Sequence, residues 1–379
     1  MPSTNKFHPT VENFLSLFLF GPIFFILFAI YFLFFAIASF LIYPFQRKLK
    51  INKNEKKLNG ISIIIPTWNK KAMILNCLKI LDKVLVDEVK IPIEILVVEN
   101  GSDDGSLEAL ENLQLQTPLQ VLPQKENLGF ARAINLAAQK AQYNYLYLMN
   151  NDMEVQKGTF SELIKLAQDL LGQNKVFFGL ASQVFFFDPK KKREESGKTY
   201  SAPNFGFIKI AHMLDQLNLG KNSYTLYPGG GSSLINKAAF QKLGGYDYQS
   251  YKPLYVEDLD LGFNAWQFGF PSYFCANSQI IHHHRSSTKN SNYNPDFIIQ
   301  KNFLAFIWKN FASFSDNCRH LFFYPLMMFR YTKYRHYLEA LLPNLGQIFY
   351  QRLKLLPFKR IYKNKDIINF VNFEIKNET

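Results

Sequence analysis

The sequence predicts an α/β fold, a mainly parallel sheet flanked by helices, preceded by a transmembrane helix. Three observations predict it. From residue 61 to residue 150, short apolar runs alternate with stretches of helical period, the pattern of strand and crossover helix. Three of those runs end in clusters of Asn, Asp, Glu, Gly or Ser. Before them, Phe14 to Phe45 is free of charge for 32 positions, whereas about 20 apolar residues suffice to cross a bilayer as a helix.

The apolar segment is longer than the core of a cleavable signal, and its basic cluster follows it: Arg47, Lys48, Lys50, Lys53, Lys56 and Lys57. Basic residues stay on the cytoplasmic side. A single pass with everything after residue 46 in the cytoplasm is therefore expected, with Gly21-Pro22 as a point where the segment could turn back as a re-entrant hairpin. Residues 1–60 read as anchor and basic linker, 61–310 as the α/β domain, and 311–379 as a helical, basic and aromatic segment. That last segment suits the membrane interface or the surface of the domain equally well.

The strands follow in order. Ile61 to Ile65 is a strand that stops at Pro66, and Ile74, Leu78, Leu81 and Leu85 give the next helix one apolar face. Ile93 to Val98 ends in Glu99-Asn100-Gly101-Ser102. Leu119 to Leu122 leads to Asn127-Leu128-Gly129-Phe130 and a helix. Tyr145 to Met149 ends in Asn150-Asn151-Asp152. In a parallel sheet these polar ends fall on one rim, where ligands collect. One such cluster is ordinary turn chemistry; three on neighbouring strands supply the freed N–H groups and acceptors that a nucleoside diphosphate needs. Neither G-x-G-x-x-G nor G-x-x-x-x-G-K-[ST] occurs, which disfavours a dinucleotide oxidoreductase or a P-loop NTPase.

The second half carries Tyr227 to Ser233 with three consecutive glycines, then Gly244-Gly245-Tyr246-Asp247, then Tyr255-Val256-Glu257-Asp258-Leu259-Asp260. Gathered acids repel one another, so they are either solvated at a helix N-terminus or put to use. Ile280-Ile281-His282-His283-His284 then places imidazoles at a strand end, where one can serve as a metal ligand.

The formal charge is +13. Residues 1–60 carry seven Lys/Arg against two Asp/Glu and residues 319–379 eleven against four, while the centre is nearly balanced. Basic ends beside an apolar segment suit an anionic membrane surface and argue against nucleic acid as partner. Cys77, Cys275 and Cys318 have no metal-type spacing and predict neither disulfides nor zinc.

In order, the segments ISIIIPTWN, ILVVENGSDDGS, ENLGFARAIN, LYLMNND, GGGSSLINKAAFQKLGGYD, YVEDLDLG and IIHHHRSS resemble the family 2 glycosyltransferases, in particular their rhamnosyltransferase-like branch. The resemblance spans about residues 61 to 310. It implies a GT-A fold, Rossmann-like in its sheet, a nucleoside-diphosphate sugar donor, a glycan or lipid-linked acceptor, Mg²⁺ or Mn²⁺, and inversion at the anomeric carbon. By position it assigns Pro66, Thr67, Asn69, Glu99, Gly101, Asp104, Asn127, Gly129, Asn150, Asn151, Gly231 and Glu257 to the nucleotide-sugar pocket. It assigns Asp152 and His282 to the metal, with His284 as a rival, and Asp258 as general base. Trp68 stands where Tyr is usual, Glu99 where Asp is, and Asn264 where Arg is common, which removes a cation expected near the phosphates. Residues 185 to 226, with the run Lys190 to Glu195, match nothing in the family and read as a solvated loop or an acceptor contact. Two rivals stand beside this reading: a catalytically silent sugar-nucleotide sensor, and a nucleotidyltransferase, for which Thr67 to Lys71 supplies lysines but no glycine.

Overall fold

The computed structural model describes residues 10–50, 57–188, 190, 195–204, 207–214, 219–283, 294–331 and 333–376; His284 and residues 191–194 of the basic run lie outside these. The chain begins with α1 (Val11–Leu15), a π-helical turn (Ser16–Phe20) and α2 (Gly21–Ile42). Alternating elements follow: β1 (Ile61–Thr67), α3 (Lys71–Glu88), β2 (Ile93–Glu99), α4 (Ser106–Glu111), β3 (Leu119–Pro123), α5 (Phe130–Lys140), β4 (Tyr145–Met149), β5 (Met153–Val155) and α6 (Thr159–Gly172). The second half holds β6 (Gly179–Phe186), β7 (Thr199–Asn204), β8 (Phe207–His212), β9 (Ser223–Thr225), β10 (Ser232–Asn236), α7 (Lys237–Lys242), α8 (Glu257–Gln267) and β11 (Ser272–His282). Five helices close the chain: α9 (Pro295–Asn310), α10 (Phe314–Arg330), α11 (Lys333–Leu341), α12 (Leu345–Leu355) and α13 (Asn364–Lys376).

The main sheet runs β3-β2-β1-β4-β10-β6-β11-β5, with β9 paired to β11. Its first four strands are parallel, as the alternation predicts. Past β4 it is mixed: β10 is antiparallel to both neighbours and β6 is parallel to β11. Side chains alternate across the parallel half. Ile63, Ile65, Ile95, Val97, Tyr145 and Tyr147 pack with α3 and α6 on one face, and Ile64, Leu96, Val98, Leu146 and Leu148 pack with α5, α7 and α8 on the other. Strands buried on both faces are continuous apolar runs for this reason, and each fully buried Ile or Leu contributes about 1.5–3 kcal/mol. β1 continues through Pro66 to Thr67, past the stop expected at the proline. β4 pairs only with Ile61 to Ile64, so beyond that point one edge of β1 is open and the missing proline N–H breaks no ladder bond.

α2, α8 and the C-terminal helices share a second core. Phe24, Phe28, Tyr31 and Phe35 on one side of α2 are buried with Trp308 of α9, Tyr324 and Met328 of α10, and Ile348 of α12. The stretch Val11–Phe45 is long and apolar enough to cross a membrane. The C-terminal segment packs against α2 and α9, while Phe322 and Leu326 of α10 remain exposed.

One buried ionic cluster pins α8 to α9. Lys309 Nζ donates to Asp260 Oδ2 at 2.6 Å and to Asp247 Oδ2 at 2.9 Å, and all three residues are buried. Asp260 also accepts from the Asn310 amide at 2.7 Å and the Asn264 amide at 3.1 Å. Removing one partner of a buried ion pair leaves an uncompensated charge. Lys309→Met is expected to destabilise the fold by about 3–5 kcal/mol, measured by urea unfolding.

Candidate active site

Three parallel strand ends form the first part of the site. β1 and β2 stay in register to their last residues, so Thr67 lies opposite Glu99, just after Pro66. β4 runs beside β1 and delivers Asn150, Asn151 and Asp152 past Met149. Asn151 is buried, and its amide donates to the Thr67 hydroxyl at 2.9 Å. Past β2 the chain turns at Gly101, whose φ is +69°. A Cβ there would sit 3.0 Å from the backbone of Glu126. Glu99 folds back to accept from the backbone N–H groups of Gly101 (3.2 Å) and Ser102 (2.8 Å).

The turn after β1 is locked to the turn after β2. Asn69 N–H donates to Ser102 Oγ, and Asp103 N–H donates to Asn69 Oδ1, both at 2.9 Å. Asp104 accepts from Lys71 N–H at 2.9 Å and from Ser106 N–H at 3.1 Å. Its slight burial would raise the carboxyl, but the bonds from Ser106 and Lys71 outweigh it and hold the group below its usual range. Beside these turns opens a cavity of about 650 Å³ lined by Asp104, Asn151, Asp152, Lys70, Lys71 and Cys77, among others.

β10 brings in the glycine loop. Asn150 N–H donates to the Gly231 carbonyl at 3.1 Å. A Cβ on Gly231 would come within 2.7 Å of Asn150 Nδ2, so any larger residue here would push the Asn150 side chain aside. Asn127 and Gly129 form a turn of their own, with Gly129 N–H donating to Asn127 Oδ1 at 2.8 Å. Asn127 is exposed, and the turn reaches the glycine loop through Phe130, whose ring would lie 3.0 Å from a Cβ on Gly230.

β5 pairs with β11 so that His282 lies opposite Met153, and His283 N–H donates to the Asp152 carbonyl at 2.9 Å. The His282 ring stands between two acids, with Nε2 3.5 Å from Asp152 Oδ2 and Nδ1 3.4 Å from Glu195 Oε1. Burial alone would lower the imidazole pKa; hydrogen bonds to Asp152 and Glu195 win and raise it to about 9. Among the described residues, no group of three or more His, Cys, Asp or Glu is arranged to hold a metal ion.

α8 carries the remaining acids in its first turn. The chain enters it through Tyr255 and Val256 at φ +75° and +81°, a backbone region that β-branched residues rarely occupy. Asn302 of α9 holds this segment by donating to the carbonyls of Tyr251 and Leu254 at 2.8 Å and of Tyr255 at 3.1 Å. Asp258 is half-buried. Its Oδ2 accepts from Gly230 N–H at 3.1 Å and its Oδ1 from Leu259 N–H at 2.8 Å. Glu257 is buried, and that burial, with the charge of Asp258 added, pushes its pKa up to about 8. Both acids are therefore raised, Glu257 by burial and the charge of Asp258, and Asp258 by burial against two N–H donors that favour its ionised form.

A continuous path therefore joins the distant acids: Asp258 to the backbone of Gly230, through Gly231 to Asn150, and on to Asp152 and His282. Glu195 adds a second link, because its charge acts on both His282 and Asp258. The sequence reading gave Glu195 no role beyond a solvated loop or an acceptor contact and missed Asn302; Tyr246, noted only as part of the Gly244 to Asp247 segment, is buried beside Gly230. Asn264 is buried with its amide donating to Asp260. It belongs to the ionic cluster, where it helps to hold the buried carboxylate that Lys309 pairs with.

Residues 62–243 match the family model described as glycosyl transferase family 2. Among curated proteins, the uncharacterized glycosyltransferase YfnE of Bacillus subtilis is 33% identical over 135 residues, 35% of this chain and 33% of YfnE. The N-acetylglucosaminyl-diphospho-decaprenol L-rhamnosyltransferase of Mycobacterium tuberculosis is 24% identical over 220 residues, 52% of this chain and 68% of the relative. Among solved structures, GalNAc-T7 with UDP, GalNAc and Mn2+ aligns with a TM-score of 0.56 at 14% identity, over 85% of this chain and 58% of that one. This chain thus spans less than two thirds of YfnE and of GalNAc-T7, and the likeness to the latter is one of fold. Motif order, sheet topology and the family match agree: residues 62–243 match glycosyl transferase family 2, and the sheet with its flanking helices has a GT-A fold.

Proposed function

We propose that the protein is an inverting glycosyltransferase. Its catalytic unit, residues 61–310, would move one sugar from a nucleoside diphosphate to a glycan or lipid-linked acceptor at the cytoplasmic face of a membrane. The observation that carries this reading is the path from Asp258 through the glycine loop to Asp152. It supports a cleft with a base-type carboxylate on one side and a metal-type pair on the other.

Asp258 takes the proton of the acceptor hydroxyl while that oxygen attacks the anomeric carbon, and the nucleoside diphosphate leaves from the opposite side of the sugar. Glu257, protonated, stays neutral beside it and limits the negative charge that the site must accommodate. Pro66, Thr67, Asn69, Glu99, Gly101 and Asp104 form the nucleotide pocket, Asn127 and Gly129 shape its edge, and Asn150, Asn151 and Gly231 lie under the diphosphate.

One carboxylate oxygen and one imidazole nitrogen on adjoining segments suit Mg²⁺ or Mn²⁺, and two protein donors leave positions for diphosphate oxygens. Asp152 and His282 would hold the ion. When bound, it would neutralise charge on the leaving group. The structure of GalNAc-T7 contains UDP and Mn2+, which supports a nucleotide donor and a divalent ion here, and the relative from M. tuberculosis is named a rhamnosyltransferase of a diphospho-decaprenol substrate, which supports sugar transfer to a lipid-linked acceptor.

The test is a thermal-shift screen of dTDP-, UDP- and GDP-sugars with Mn²⁺, followed by assay of free nucleoside diphosphate with and without acceptor. Release of diphosphate only when acceptor is present is expected. Donor binding with no release under any acceptor would identify a sensor, and release of pyrophosphate would identify a nucleotidyltransferase.

A further inference from the structure

α2 has two opposed stripes. Phe24, Phe28, Tyr31 and Phe35 face the protein and are buried, whereas Ile23, Ile26, Ile30, Leu33, Ile37 and Phe40 face outward and are 49–80% exposed. The apolar surface continues onto α10, where Phe314 meets Phe32 with ring centroids 5.8 Å apart and is itself 73% exposed. Soluble proteins do not leave a patch of this length uncovered.

The inner stripe is held from end to end. Asn13 Nδ2 donates to the Phe329 carbonyl and the Tyr31 hydroxyl to the Trp308 carbonyl, both at 2.8 Å, and Gln46 Nε2 donates to the Leu356 carbonyl at 2.9 Å. Two residues before Trp308, Phe306 packs on Phe263 of α8, the helix that carries Asp258. A crossing helix needs about 30 Å of hydrocarbon around it, but one whole side of α2 is covered by α9, α10 and α12, which share its core with α8 of the α/β domain. Around the patch, exposed tyrosines each carry a cation: Tyr43 with Lys359 at 6.0 Å, Tyr331 with Arg330 at 5.5 Å, and Tyr350 with Lys354 at 4.3 Å. Aromatic rings paired with Lys or Arg mark the headgroup level of a bilayer.

We propose that α2 does not cross the membrane but lies in its plane, and that its outward stripe and α10 form one face sunk into a single leaflet of anionic lipid. This replaces the single pass expected from composition. It stands on packing alone, so it can fail or hold independently of the glycosyltransferase reading.

The test uses the full chain with Cys318→Ser, which removes the exposed thiol and leaves Cys77 and Cys275 buried. Thr10→Cys and Lys57→Cys are each added and labelled with a membrane-impermeant maleimide in spheroplasts and in inverted vesicles. Labelling of both thiols from the same side is expected; labelling from opposite sides overturns the proposal. In a second arm, Ile30→Glu with Leu33→Lys is floated with vesicles of phosphatidylethanolamine and phosphatidylglycerol. At least a tenfold loss of co-flotation with unchanged thermal stability is expected, and undiminished flotation overturns it. Efficient Ile30→Cys crosslinking between copies in the presence of vesicles would assign the face to a second chain and would also overturn it.

Discussion

Asp258→Asn is expected to lower kcat by about 10²–10⁴-fold, the range for loss of a general base, while donor affinity measured by calorimetry stays within about threefold. The amide is isosteric and cannot take the acceptor proton. It also removes a charge that burial disfavours, so the thermal midpoint should hold or rise, which separates lost chemistry from lost fold. The wild-type pH profile follows from the same geometry. Both acids are raised in the folded protein, so kcat/KM should climb with pH above the ordinary carboxylate range as Asp258 loses its proton. Stability should move the other way: the folded chain holds protons that the unfolded chain releases, so unfolding becomes easier as pH rises from 4.5, the ordinary value for Glu257, to about 8. An acid limb at the usual carboxylate pKa, or a residual rate in the variant with an unshifted limb, would remove Asp258 from the role of base.

Asp152→Asn is expected to cost about 10²–10³-fold in kcat/KM, the scale of losing one charge-stabilising group, and to abolish the rise in donor affinity on adding Mn²⁺. The paired variant Glu195→Gln separates two parts of the His282 environment. Glu195 contacts the ring from the side away from Asp152, so its loss should reduce turnover about tenfold, as for a group that orients a ligand rather than binds the metal. Isothermal titration of Mn²⁺ with and without donor reads both. Retained Mn²⁺ dependence in Asp152→Asn would place the ion elsewhere.

The strand ends were legible because each is a local signal, a buried apolar run that stops at Thr67, Glu99 or Asn150. Asp152, Asp258 and His282 were named from motif order, and the structure joins them through Asn150 and the glycine loop. What was not legible depends on pairing between remote segments. Glu195 lies in a charge run, and its contact with His282 arises only because β6 and β11 run side by side. The segment after the glycine loop was given no element from sequence, yet Ser232–Asn236 is the strand that reverses the sheet. Lys309 looks like a solvated cation in an aromatic helix; it is buried because Asp247 and Asp260, far back in the chain, converge on it. For α2, a helix apolar on every side offers no period that tells the protein-facing stripe from the outward one.

The most direct measurement is a structure of the protein with nucleoside diphosphate and Mn²⁺, with the ion located by its anomalous scattering. The ion is expected on Asp152 and His282 and the pyrophosphate beneath the Gly229 to Gly231 loop, with Asp258 facing it from the far side. Pyrophosphate bound away from that loop, or shielded from Asp258 by the protein, would contradict this arrangement.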